Sequence, residues 1–155
     1  MLEIERKFLI ANDGWKKHVS NSTVIKQGYL NSTPERTVRI RVRGENGFMT
    51  IKGKNDNLTR KEFEYTIPLQ EANELLSLCE KPLIKKTRHL VQVENHTWEI
   101  DVFEGDNKGL VVAEIELTSE DEKFNQPTWA GKEVSNDPRY YNSSLIQHPY
   151  MAWKL

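Results

Sequence analysis

The sequence predicts a mainly β fold of the α+β class: eight antiparallel strands closed into a barrel, with a charged lumen and a few helices outside. Three observations lead there. Short runs that alternate apolar and polar residues recur along the chain, separated by turn clusters such as "GENG" and "GDNKG". In many of these runs the polar positions are all charged, and often of one sign. A few amphipathic helical runs are available to cover an apolar outer surface.

The elements follow in order. "MLEIERKFLI" opens with a strand that sends Glu3, Glu5 and Lys7 to one face and Leu2, Ile4 and Phe8 to the other. Arg6 stands alone among charges on the apolar side. "TVIKQGYL" is the second strand. "RTVRIRV" and "FMTIKGK" flank Asn46-Gly47, a tight hairpin signal, and "KEFEYTI" follows "NDN". "HLVQVEN" and "HTWEIDVFE" turn around Asn95, and "GLVVAEIEL" follows "GDNKG". After Pro68, "LQEANELLSLCE" places Leu69, Ala72, Leu75, Leu76 and Cys79 near one stripe, so a helix is expected there. "SEDEKF" reads as a short helix and "DPRYYNSSLIQH" as a helix starting at Asp-Pro. No repeat or linker divides residues 1–155, which read as one domain.

Composition narrows the class. The chain of 155 residues is 37% apolar and 29% charged, which suits a soluble globular protein. A net charge of -1 gives no reason to expect a nucleic-acid partner. The single Cys79 forms no internal disulfide and reads as a small buried apolar group. Neither a signal-type apolar core nor a membrane-spanning run is found, so a cytoplasmic location and no membrane partner are expected. Monomer and homodimer both stay open.

The charges are sorted by strand phase. Of 22 basic and 23 acidic residues, eight of each occupy alternating strand positions. The bases are Lys7, Arg39, Arg41, Arg43, Lys52, Lys54, Lys86 and Arg88. The acids are Glu3, Glu5, Glu62, Glu64, Glu99, Asp101, Glu114 and Glu116. One reading puts all of them on a solvated exterior around an apolar centre. The other turns them inward, where buried charges need partners. Arginine and lysine would answer phosphate oxygens. Carboxylates would repel phosphate unless a hard divalent cation, Mg²⁺ or Mn²⁺, lay between them.

These residues also resemble a known family. "EIERKF" looks like the Glu-x-Glu-x-Lys signature of the CYTH superfamily, the triphosphate tunnel metalloenzymes, and "RIRVR", "TIKG", "EFEY", "KTRH", "WEIDVFEG", "AEIEL" and "GKEVSNDPRYYNSSL" follow in the family's order. The resemblance implies an eight-stranded tunnel that binds triphosphate with divalent metal, and it is nearest to short bacterial members similar to inorganic triphosphatases. By that resemblance Glu3, Glu5, Glu114 and Glu116 hold metal. Arg39, Arg41, Lys52, Lys86 and Arg88 bind phosphate, with Arg43 in phase beside them. Lys7 and Tyr29 resemble a catalytic lysine–tyrosine pair, and Glu62 and Glu64 match lumen carboxylates that serve metal or water. The segment Asp137 to Leu145 would be a helix plugging one mouth.

Hydrolysis of inorganic tripolyphosphate is the expected activity. Adenylyl cyclisation of the class IV type and thiamine-triphosphate hydrolysis are alternatives within the family. A polyphosphate sensor without turnover and a nucleic-acid-binding barrel are alternatives of other classes. His18, His89, His96 and His148 lack metal-ligand spacing. Trp98, Trp129 and Trp153 read as packing residues, the Tyr140-Tyr141 pair as packing for the terminal helix with one hydroxyl able to reach the lumen, and Gly28 and Gly53 as bulges or close approaches.

Overall fold

The first strand must satisfy three neighbours, and this decides the architecture. In the computed structural model, which describes residues 2–153, β1 (Leu2–Ile10) is flanked on one side by β8 (Val111–Glu116). Its first residues pair with β5 (Thr59–Ile67) on the other side, from Leu2 opposite Lys61 to Ile4 opposite Thr59. Beyond that point β9 (Ala130–Glu133) replaces β5, with Phe8 opposite Glu133. The remaining wall is β2 (Val19–Asn31), β3 (Arg36–Arg43), β4 (Asn46–Gly53), β6 (Ile84–Val93) and β7 (His96–Phe103). The order β5-β4-β3-β2-β6-β7-β8-β1 closes through β1–β5, and every pairing is antiparallel. The eight-stranded barrel is as the alternation implies. The ninth strand was not anticipated, because "AGKE" is too short and too polar to show a period.

Two of the three apolar clusters lie outside this wall, and the second closes one end of the lumen from within. Fully buried Trp98 on β7 packs against Phe8 and Trp129, with ring centroids 5.4 and 5.3 Å away. Ile100, Ala113 and Ile115 complete this cluster beneath Trp15, which a 3-10 turn at Asp13–His18 lays over the barrel. A second cluster joins Ile84, Phe103 and Val112, all at one end of the barrel, to Tyr140, Leu145 and Ile146. A third sits under α1 (Leu69–Leu76), where Ala72, Leu76 and Cys79 meet Ile40.

Helices are shorter than the periodicity predicts. α1 stops at Leu76, and three tighter bonds, the last from Cys79 N to Leu76 O, finish its end. "SEDEKF" forms a turn instead of a helix, because Glu122 folds back to accept from both Thr118 N and its hydroxyl at 2.6 Å. The terminal helix is broken at Tyr141, an extended residue between a 3-10 turn at Pro138–Tyr140 and α2 (Asn142–Leu145). Lys54 lies exposed beyond the end of β4, so its inward phase is lost.

Gly28 is a close approach, as anticipated, whereas Gly53 has ordinary space around it. A Cβ on Gly28 would stand 2.7 Å from the Cβ of Cys79 and 2.6 Å from Leu83 Cδ2. Gly28→Ala is therefore expected to lower stability by about 1–3 kcal/mol through overpacking, read as a reduced urea midpoint with an unchanged slope.

Candidate active site

Strand register collects the inward charges into rows. Lys7, Glu114 and Glu99 stand side by side on β1, β8 and β7, and Glu5 faces Glu116 one row away. Across the barrel, Glu64, Thr50, Arg39 and Tyr29 form a row through β5, β4, β3 and β2. Glu62, Lys52 and Thr37 form the row beside it. Together these side chains line an enclosed lumen of about 180 Å³.

Many of the charges answer one another. Lys52 Nζ donates to both oxygens of Glu3 at 2.7 and 3.0 Å and lies 3.5 Å from Glu62. Arg88 grips Asp101 with two bonds of 2.8 and 2.9 Å and reaches Glu99 at 3.2 Å. Lys86 Nζ lies 2.7 Å from the same Asp101, and both side chains are almost wholly buried. Although burial works against its charge, Asp101 is held well below the ordinary carboxylate range by Lys86 and Arg88. Burial pushes Lys86 down to about 7, only partly opposed by Asp101. Asp101 thus stays ionised through Arg88 whatever Lys86 does.

Other charges are left under-answered. Arg41 is buried and finds only the neutral Gln27, whose Oε1 accepts from Arg41 Nε at 2.8 Å. Burial, then the like charges of Arg39 and Arg88, lower it to about 9, so it remains cationic at neutral pH. Arg39 Nε and Arg60 Nε are buried with no partner among the described residues. On the acidic wall, burial followed by the charges of Glu114 and Glu3 drives the Glu5 carboxyl up to about 8. Glu116 is raised by burial, then by Glu3 and Glu99. Glu114 goes the other way, to about 2: burial raises it, but Lys7 at 3.5 Å and, behind it, Arg88 and Lys86 together outweigh that.

No three carboxyl, imidazole or thiol groups among the described residues are gathered closely enough to hold a metal by themselves. The donor chemistry nevertheless fits a hard divalent cation. Glu3, Glu5, Glu114 and Glu116 are oxygen donors on one wall, and their mutual repulsion would be relieved by added positive charge.

The lumen receives all fourteen residues singled out from sequence: Glu3, Glu5, Lys7, Tyr29, Arg39, Arg41, Arg43, Lys52, Glu62, Glu64, Lys86, Arg88, Glu114 and Glu116. Arg6 points outward, paired with Glu133 at 2.6 Å, and His89 stacks on Trp15 outside the wall. Lys7 and Tyr29 are near neighbours, but no hydrogen bond joins them: Lys7 Nζ donates to the Tyr140 carbonyl at 3.3 Å and faces the Tyr141 ring at 5.6 Å. Sequence reasoning missed Arg60, which shares the inward phase of Glu62 and Glu64 and lies one residue before the expected strand. It also missed Gln27, Asn55, Ser135 and Asn142, of which Asn55 and Ser135 come from loops that carry no period; Tyr141 is the member of the tyrosine pair that lines the lumen, its hydroxyl accepting from Asn55 Nδ2 at 3.0 Å.

The comparisons with known proteins agree with this geometry. The chain matches the CYTH domain over residues 1–150. It belongs to the CYTH family. An inorganic triphosphatase of Acetivibrio thermocellus is 46% identical over 153 residues, 98% of this chain and 97% of that protein. An inorganic triphosphatase of Nitrosomonas europaea is 37% identical, covering 94% and 97% of the two chains. The solved structure of the inorganic triphosphatase NE1496 superposes with a TM-score of 0.66 at 35% identity, over 93% of each chain. The PH1012 protein of Pyrococcus horikoshii, 21% identical with a TM-score of 0.61, shares the fold.

In this CYTH barrel Asp101 is the anion on which two buried cations depend. Asp101→Asn is expected to cost about 3–5 kcal/mol in chemical denaturation, since it leaves Lys86 without a counter-charge and Arg88 with Glu99 alone. Because the folded carboxyl lies below its unfolded value of 3.8, its contribution is complete above about pH 4 and is lost as the pH falls below it. The variant should accordingly lose less stability than the parent on acidification.

Proposed function

We propose that this CYTH protein is a divalent-metal-dependent phosphoanhydride hydrolase acting on triphosphates, with inorganic tripolyphosphate as the substrate and phosphate as a product. The observation that carries the reading is the lumen's paired deficit: a cationic wall around Arg41 that lacks anions, facing an acidic wall around Glu5 that lacks cations. A metal–triphosphate complex supplies both. The inorganic triphosphatases to which the chain is 46% and 37% identical support tripolyphosphate over a nucleotide.

In this mechanism Arg39, Arg41, Lys52, Lys86 and Arg88 bind the phosphate chain, with the planar guanidinium groups making two-pronged contacts. Arg43, stacked over Phe48 at 4.5 Å, extends the same wall. Glu3, Glu5, Glu114 and Glu116 would hold Mg²⁺ or Mn²⁺. When bound, such a cation neutralises charge on the phosphate oxygens as the bond breaks. Glu62 or Glu64 orients a water for in-line attack on phosphorus and accepts its proton. The P–O bond to the departing phosphate breaks, and the Lys7 ammonium donates a hydrogen bond to the oxygen that gains charge. Tyr29, buried beside it, fills the wall and excludes bulk water. A cytosolic location belongs to the same proposal; the lone, buried Cys79 suits it.

Phosphate release is the test, measured on tripolyphosphate, pyrophosphate, ATP and thiamine triphosphate, each with Mg²⁺ and with Mn²⁺. Metal-dependent release fastest from tripolyphosphate is expected, and release from none of the four would overturn hydrolysis in favour of a binding protein. Glu5→Gln and Glu116→Gln should each lower metal-dependent turnover at least roughly a hundredfold while circular dichroism stays unchanged. Unaltered turnover would remove both from the metal site. Arg41→Ala should raise KM for tripolyphosphate roughly tenfold or more, whereas Arg6→Ala, on the outer face, should leave it within about twofold.

A further inference from the structure

The break in the terminal helix delivers acceptor oxygens to the cationic wall. Asn142 Oδ1 accepts from Lys86 Nζ at 3.0 Å and from Gln27 Nε2 at 3.2 Å. Gln27, which is fully buried, in turn accepts from Arg41 Nε at 2.8 Å. The polarity of this chain admits no alternative. Arg41 can only donate, so the atom facing it must be the amide oxygen of Gln27. The Gln27 NH₂ must then face the Asn142 oxygen, both of whose lone pairs are used. Two residues earlier, the Tyr140 carbonyl accepts from Lys7 Nζ at 3.3 Å.

We propose that Asn142 is a positioning residue: acting directly on Lys86 and through Gln27 on Arg41, it aims two phosphate-binding cations, carried by the strands on either side of β2, into the lumen, which makes the C-terminal segment part of the binding machinery rather than a passive wall. The inference rests on the triphosphatase reading for its consequence in catalysis, but not for the hydrogen-bond chain itself. Fixing the guanidinium plane of Arg41 leaves its four terminal N–H groups free for phosphate oxygens. Lys86, with donors committed to Asp101 and Asn142, is held in one orientation. Neither cation then has to surrender side-chain freedom when substrate arrives.

Two measurements decide the proposal. On substrate-free protein, hydrogen exchange of the Arg41 Nε–H is followed by ¹⁵N NMR; Asn142→Ala should accelerate it, and Asn142→Asp, which keeps both acceptor bonds, should not. With tripolyphosphate and Mg²⁺, Asn142→Ala should raise KM roughly tenfold with kcat within about twofold, and Gln27→Leu should add little to the double variant because both act through one chain. A urea midpoint for each variant separates loss of fold from loss of aim. Unchanged exchange and KM in Asn142→Ala, or effects that multiply in the double variant, would overturn the positioning role. Absence of phosphate release from the parent protein would instead remove the triphosphatase reading, and the exchange arm would still decide the role of Asn142.

Discussion

Enclosing charges of both signs in one small lumen is the constraint on which this molecule depends. An isolated buried charge costs several kcal/mol, and a pair recovers that only with good geometry. The barrel meets the requirement by register. Antiparallel pairing sets Lys52 between Thr37 and Glu62, Lys7 beside Glu114, and Arg88 directly opposite Asp101. Each partner comes from a neighbouring strand at a fixed row, so a slip of one residue would turn the whole set outward. The ion pairs therefore act as much on register as on stability.

Turning charge inward forces the apolar residues outward, and much of the rest of the chain serves to cover them. The 3-10 turn bearing Trp15, the loop bearing Phe124 and Trp129, and helix α1 each seal a different stretch of outer wall, while the C-terminal segment closes one end of the lumen. This explains why the core is three separate clusters and not one. The barrel itself is thin, and its stability is distributed over these covers. Close packing is correspondingly strict where a cover lies flat on the wall, as at Gly28, where only a hydrogen fits beneath Cys79.

Legibility in the sequence followed periodicity. Arg39, Arg41 and Arg43, or Glu114 and Glu116, could be placed inside because a strand's period of two carries each residue's face with it. The same logic would have reached Arg60 had the strand been begun one residue earlier. Asp101 was in phase but had no evident role, since its meaning lies in Lys86 and Arg88 on the adjacent strand, and pairing across strands is not written in either one. Asn55, Ser135 and Asn142 come from irregular segments whose direction is fixed by tertiary contacts alone. The terminal helix shows the conflict most clearly. Local signals favour a continuous helix from Asp137, yet Tyr141 is extended and the Tyr140 carbonyl bonds Lys7 instead of a helical N–H. Tertiary capture by a buried ammonium outweighs helical propensity, which is a weak preference over a single turn.

The distribution of unanswered charge carries the argument from fold to chemistry. A barrel built only for stability would neutralise its lumen internally, and this one does so in part, through Lys86 and Arg88 with Asp101, Lys52 with Glu3, and Lys7 with Glu114. Beyond those pairs the surplus is separated in space: Arg41, met by the neutral Gln27, on one side, Glu5 and Glu116 on the other. A simple anion would satisfy the first group and repel the second, and a free cation would do the reverse. Only a ligand that presents oxyanions to one wall and a cation to the other lowers the energy of both, and it does so most when its charges are spread over the length of the lumen. The proposed ligand, an extended, metal-bridged anion, rests on this geometry before any question of bond cleavage arises, and the proposed cleavage rests on holding that anion where Lys7 and the acidic wall converge.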